Sequence, residues 1–278
     1  MIRIDLLTIS MSTVTTQTRE ATAVITVSNP PHGYMTDTLV GQLYRAFRTV
    51  ERAPEVRVVI FTGGGAGVFI QHYDLQELKL LCRKLNDRGV RYGATDHTPE
   101  RDMDLLFRGI ENSRKPVIAA LNGNAMGFGC ELALACDFRV MQDGPFSIGQ
   151  PEIRVGLVPG AGGTQRLARI VGMARALDLV LHGRRLSPAQ ALAQGLIHDL
   201  VQADVPVLDV ALERARDLAG LSPTAVAHGK KLVRHAIEAS LYDGLDIERS
   251  LFVDTLASPE ALRLVDSAIS SDRDFRHL

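Results

Sequence analysis

Apolar and polar positions along the chain fall into two regimes. In the first two-thirds, short β-branched or continuous apolar runs alternate with helical stretches. Residues 21–28 (ATAVITVS) stop at Asn29-Pro30-Pro31, which predicts a strand and its end. A helix is expected from about Asp37, read as its N-cap, because Leu39, Leu43, Ala46, Phe47 and Val50 recur at helical spacing. Residues 56–61 (VRVVIF), 116–121 (PVIAAL) and 136–141 (CDFRVM) read as further strands, the first of them closed by Thr62 and the glycines of 63–67. The stretch 74–111 is mostly helical and charged, broken by a Gly/Asp/Pro-rich segment at 93–99. From residue 173 the pattern changes. Helical periodicity covers 173–182, 188–194, 207–219, 224–239, 245–257 and 259–269, punctuated by Gly183, Gly195 and three Ser-Pro steps. The reading is a mixed α/β core with a helical appendage and no repeat of 20–50 residues visible in the sequence.

Composition narrows what such a core can do. Of 278 residues, 46% are hydrophobic and 23% charged, as in a protein that buries a sizeable core. Thirty-one basic and 32 acidic side chains nearly cancel, which argues against a dedicated nucleic-acid binder. Cys82, Cys130 and Cys136 form neither a disulfide framework nor a zinc motif, so a reducing cytoplasm is the expected setting. No run of about 18 apolar residues suggests a membrane span. The opening MIRIDLLTIS lacks the features of a signal peptide, and Met11 offers an alternative start.

Glycine-rich loops invite nucleotide readings, which fail here. Val68 and Leu132 occupy the positions where a GxGxxG fingerprint needs glycine, and no P-loop, GxSxG elbow or HExxH occurs. No metal-ligand cluster is spaced along the chain, so no metal is expected. Two segments remain. Asn122–Leu132 (NGNAMGFGCEL) runs from a strand through a glycine-rich turn into an apolar helix. Unpaired N–H groups at such a helix start can stabilise an oxyanion. Glu131, the one charged residue between Lys115 and Asp137, sits in an apolar setting that raises its pKa. Gln150–Leu167 (QPEIRVGLVPGAGGTQRL) supplies a second carboxylate, Glu152, ahead of a loop that opens into a helix near Gly163. Two carboxylates from different elements suit general acid–base chemistry, although spacing alone more often describes an ion-paired or surface pair.

From about residue 20 to 275 the chain resembles the crotonase (enoyl-CoA hydratase/isomerase) superfamily. Asn122–Asp137 is similar to the family's N-G-x-A-x-G-G-G-C-E-L-A-x-x-C-D, and Gln150–Leu167 to its Q-P-E-x-x-x-G-x-x-P-G-x-G-G-T-Q-R-L. Val58–Gly63, Phe69 and Asp74 resemble the approach to its A-G-A-D loop. The resemblance implies an α/β spiral of ββα units with a helical C-terminal trimerisation region, as a homotrimer or a hexamer made of two trimers. It divides the chain into an extension (1–11), a spiral core (12–204) and an oligomerisation region (205–278). It further implies an enoyl-CoA hydratase-like lyase acting on an acyl-CoA, with no cofactor beyond the coenzyme A of the substrate.

Carried across residue by residue, the resemblance puts the oxyanion-hole N–H groups at Gln71 and Phe128 and the catalytic carboxylates at Glu131 and Glu152. Glu131 would act as base on the water and Glu152, protonated, would supply the proton to Cα. Gln71, His72, Tyr73, Asp74 and Phe128 would contact substrate. The chain departs from the pattern in four places. Gln71-His72-Tyr73 replaces three small residues, Phe128 replaces a glycine, and His32 and Ser270-Ser271 stand where basic residues are frequent. The stretch 79–109 is longer than in compact members. Isomerase, dehydratase or carbon–carbon hydrolase chemistry, or a non-catalytic RNA-binding scaffold, are the alternatives.

Overall fold

The computed structural model describes residues 12–270. The extension 1–11, with both candidate start methionines, and Ser271, Arg273 and Phe275 lie outside them. A six-stranded sheet carries the core. Strand β1 (Thr13–Arg19) pairs antiparallel with β2 (Thr22–Ser28), and β3 (Val58–Gly63), β5 (Val117–Leu121), β7 (Phe138–Gln142) and β10 (Asp199–Val201) follow in parallel, in the order β1-β2-β3-β5-β7-β10. A second sheet of four short strands has the order β4 (Gly67–Ile70), β6 (Gly123–Met126), β8 (Ile148–Gly149), β9 (Arg185–Leu186). Successive pairs of strands therefore split: β3, β5 and β7 join the large sheet while β4, β6 and β8 join the small one. The first two pairs lead directly into helices, α2 (Leu75–Asp87) and α4 (Phe128–Ala135), and the third into a short 3-10 turn (Glu152–Val155). This is the ββα spiral that the resemblance implied.

The continuous apolar runs are explained by burial on both faces. Along β3, Val59 and Phe61 face one cluster with α1 (Asp37–Arg52), α3 (Asp102–Asn112) and α4, whereas Val58 and Ile60 face another. That second face is covered by α8 (Val207–Gly220) through Val207, Ala211 and Ala215, so α8 packs as a layer of the sheet. The N-cap of α1 is Thr36, whose hydroxyl accepts the Leu39 N–H at 3.3 Å. Asp37, expected to be the cap, instead occupies the first helical position, where its carboxylate complements the helix dipole and accepts the Tyr73 hydroxyl.

The C-terminal region holds α9 (Pro223–His235), α10 (Leu241–Leu256) and α11 (Pro259–Ser270). Ser240 caps α10 by accepting the Asp243 N–H, so that helix starts earlier, and α9 ends earlier, than periodicity predicts. Asp137 staples α9 to the core: it binds Lys230 Nζ at 2.7 Å and Arg234 Nη2 at 2.8 Å while accepting the Val117 N–H at 2.8 Å. No helix of the described residues is long and apolar enough to cross a membrane.

Candidate active site

The start of α4 is where the two sheets deliver their loops. Gly127 precedes the helix with φ +51° and ψ −118°, a conformation glycine adopts without strain, and its N–H donates to Gly149 O at 2.9 Å. The first intrahelical bond runs from the Glu131 N–H to Gly127 O, so the Phe128 N–H has no intrahelical acceptor. Gly129 lets the chain leaving β4 come close: a Cβ there would stand 2.4 Å from Ile70 O. The 71–74 segment consequently lies against the first turn of α4, with the Tyr73 and Phe128 rings 6.2 Å apart and the Phe107 ring 5.3 Å from that of Phe128.

Hydrogen bonding in that segment corrects one expectation. The Gln71 N–H donates to Gly33 O at 2.9 Å and so is not free to hold an oxyanion. Met35 then pairs with Tyr73 as in a parallel sheet: Met35 N–H donates to His72 O at 2.8 Å and Asp74 N–H to Met35 O at 2.7 Å. This pairing turns the Tyr73 N–H to the opposite side of the chain, and it has no acceptor among the described residues. Neither the His72 nor the Tyr73 N–H has an acceptor among the described residues, and the one that the Met35 pairing turns away is Tyr73, two residues later than predicted. The side chains of His72, Tyr73 and Asp74 have local partners. Asp74 caps α2 by accepting the Gln76 N–H at 2.6 Å, and the Tyr73 hydroxyl binds Asp37. Burial and Asp37 raise the Tyr73 phenol above its usual range. His72 bonds through Nδ1 to Tyr73 O and stacks on Tyr34, which stacks on His32.

Glu131, on the first turn of α4, is 4% exposed. Its Oε1 accepts the N–H groups of Ala161 and Gly163 at 2.8 and 3.0 Å, so the glycine-rich loop that opens α5 (Gly163–Val171) wraps its carboxylate. Glu152 lies on the 3-10 turn with Oε1 directed at Gly127, where a Cβ would be 2.9 Å from it. Gln150, fully buried, sets its amide end 3.0 and 3.2 Å from the two Glu152 oxygens, and assigning its nitrogen to that side, which satisfies both groups, makes it a donor to the carboxyl; the amide also packs on Gly163. One loop system therefore holds both predicted carboxylates about the N-terminus of α4.

Burial makes both carboxyls hold a proton more tightly than a free glutamate does. Burial pushes the Glu152 carboxyl up to about 7, and the charge of Glu131 adds to the shift. Burial also raises Glu131, but the Ala161 and Gly163 N–H groups and the charges of Arg166 and Arg101 oppose it. Glu131 has the larger set of N–H donors and cations around it, and both carboxyls are held above the ordinary carboxylate range. Burial raises the Cys130 and Cys136 thiols, which places both as inert packing residues.

Sequence reasoning missed Tyr73 as the free donor, Gln150 as the donor to Glu152, and the two arginines. Arg101 stands at the start of α3, donates to Gly160 O at 2.8 Å and lies close enough to Glu131 to act on its charge. A position directly before an apolar-periodic run was its single signal. Beside the 71–74 segment, a cavity of about 200 Å³ is bounded by Ser28–Pro31, Gly33 and Gly64–Ala66. Another of about 930 Å³ opens between α3, α5 and α9, and neither glutamate lines it.

Known proteins with this architecture carry a consistent description. The family model described as Enoyl-CoA hydratase/isomerase matches residues 17–263. A 2,3-dehydroadipyl-CoA hydratase of Escherichia coli (strain K12) is 35% identical over 245 residues, 87% of this chain and 89% of that protein. A short-chain-enoyl-CoA hydratase of Clostridium acetobutylicum is 33% identical, over 83% of this chain and 84% of its own. The crystal structure of an enoyl-CoA hydratase from Polaromonas sp. JS666 superposes with a TM-score of 0.82 at 30% identity, covering 94% of this chain and 97% of that one. With strands split between two sheets and carboxylates gathered at the start of α4, the chain belongs to the enoyl-CoA hydratase/isomerase family, the crotonase superfamily.

Proposed function

We propose that the protein is an enoyl-CoA hydratase that adds water across the double bond of a 2-enoyl-CoA thioester. The observation that carries the reading is the pair Glu131 and Glu152, held by one loop system about the start of α4, with Glu131 cradled by the Ala161 and Gly163 N–H groups. The Tyr73 and Phe128 N–H groups bind the thioester oxygen, replacing the Gln71–Phe128 pair expected from sequence. Glu131, ionised, takes a proton from water as its oxygen bonds to Cβ. The π electrons move to Cα and the carbonyl, where the two N–H groups stabilise the enolate. Glu152 then gives its proton to Cα, and exchange with solvent restores both carboxyls. Gln150 holds Glu152 in line throughout. The substrate supplies coenzyme A, and no further cofactor takes part.

Sequence similarity to proteins named as hydratases supports this over isomerisation, as does the presence of two carboxylates. Incubation with a short 2-enoyl-CoA and with its 3-enoyl isomer, followed by product analysis, decides between them. A 3-hydroxyacyl-CoA from the 2-enoyl substrate is expected; interconversion of the two enoyl isomers without hydration would replace the reading.

We also infer a homotrimer or a hexamer of two trimers. α10 and α11 bury no residue and expose Phe252, Val253, Val265 and Ile269. Light scattering of the eluted protein reads the assembly. Three free thiols agree with a cytoplasmic setting.

A further inference from the structure

The loop that holds Glu131 is itself gripped. The peptide joining Gly160 to Ala161 donates its N–H to Glu131 Oε1 at 2.8 Å, and its C=O accepts from Arg101 Nη2 at 2.8 Å. Arg101 is fixed in turn by Asp104, which accepts Nε at 2.9 Å, Nη2 at 3.0 Å and the Arg101 backbone N–H at 2.9 Å. The next carbonyl, Ala161 O, accepts from Arg166 Nη1 at 2.7 Å, and Glu111 holds that guanidinium at 2.6 and 2.9 Å. Two arginines from α3 and α5 thus clamp successive carbonyls of the loop whose N–H groups cradle the carboxylate. A cation on a peptide oxygen polarises the peptide and strengthens the hydrogen bond given by its N–H.

We propose that Arg101 is a positioning residue for Glu131, acting through the Gly160–Ala161 peptide, with Asp104 setting how much of its charge reaches that carboxylate. This rests on the hydratase reading for its kinetic consequence. Its geometry stands without it. Arg101 is the adjustable half of the clamp: its side chain is 53% exposed against 19% for Arg166, and it ends the irregular segment 88–101. The charged groups around Glu131 are few. Arg101, backed by Asp104, comes from α3; Arg166, backed by Glu111, from α5; Glu152 from the 3-10 turn; Cys130, kept as a thiol by burial, from its own helix. Removing the Arg101 charge leaves Asp104 as a net anion and disfavours ionised Glu131. Neutralising Asp104 leaves a bare cation and favours it.

The test compares pH profiles of R101Q, D104N and R101K on a short 2-enoyl-CoA, together with infrared titration of the Glu131 carboxyl, assigned by its loss in E131Q. In R101Q, kcat is expected to fall about tenfold as the carboxylate loses its alignment, with KM unchanged. Its acidic limb and the infrared titration both move up by about half a pH unit. D104N moves both down. R101K restores the position of the limb but not kcat, because an ammonium cannot hold Asp104 bidentately and reach Gly160 as well. Shifts of the same sign in R101Q and D104N, or none, overturn the proposal. If the wild-type protein hydrates no enoyl-CoA, the hydratase reading fails alone. The infrared titration still supports or overturns the clamp.

Discussion

Replacing Gly127 by alanine tests whether the geometry at the start of α4 governs the chemistry. The substitution acts twice. At φ +51° and ψ −118° an added Cβ strains the backbone, at a cost of about 1–3 kcal/mol. For a chain of this size that lowers Tm by about 2–4 °C for each kcal/mol. The same Cβ would lie 2.9 Å from Glu152 Oε1, well inside contact, so the carboxylate has to retreat by roughly half an ångström. Misplacing a catalytic group by 1 Å costs about 10²-fold, so roughly a tenfold loss of kcat is expected here. The assay is hydration of a short 2-enoyl-CoA beside a thermal melt, with G229A as control. Gly229 lies within α9 and has nothing within 4 Å of its added Cβ. That variant should keep wild-type activity and be about as stable or slightly more so. G127A with wild-type kcat despite a lowered Tm would show that Glu152 does not work beside Gly127.

Other expectations follow from the buried charges. D137A should destabilise by about 3–5 kcal/mol, because it strands Lys230 and Arg234 without their shared carboxylate; denaturant unfolding measures it. Glu152 titrates at about 7 in the folded protein against an ordinary value of 4.5, so the native state binds the extra proton and wild-type stability declines as pH rises through that window. E152Q should therefore gain on the wild type between pH 5 and 8, by about 2 kcal/mol after allowance for solvent screening; an advantage independent of pH would contradict the shift. Wild-type hydration should fall as pH rises through about 7, where Glu152 loses the proton it delivers.

The sequence carried the elements whose signals are local. β2, β3 and β5 announce themselves as apolar runs, and the Ser187-Pro188 and Ser222-Pro223 steps mark helix starts. The spiral repeat was invisible because β4, β6 and β8 are short and glycine-containing, with no alternation to read. The resemblance pointed to Glu131 and Glu152 as the candidate carboxylates, and the structure brings both to the start of α4. The Tyr73 N–H was not legible, since which amide stays free depends on the pairing of 71–74 with Gly33–Met35, some 38 residues apart in sequence. Arg101 was hidden for the same reason. Its acceptor is a carbonyl 59 positions away, and no side-chain pattern records a bond to backbone.

The central claim is that Glu131 acts as base on the water and Glu152 as acid toward Cα. Single-turnover hydration of a short 2-enoyl-CoA by E131Q and by E152Q tests it most directly. Each isosteric change keeps the shape of the site and removes one proton-transfer partner, so each should slow the chemical step by about 10²–10⁴-fold. A wild-type rate in either variant would contradict the account.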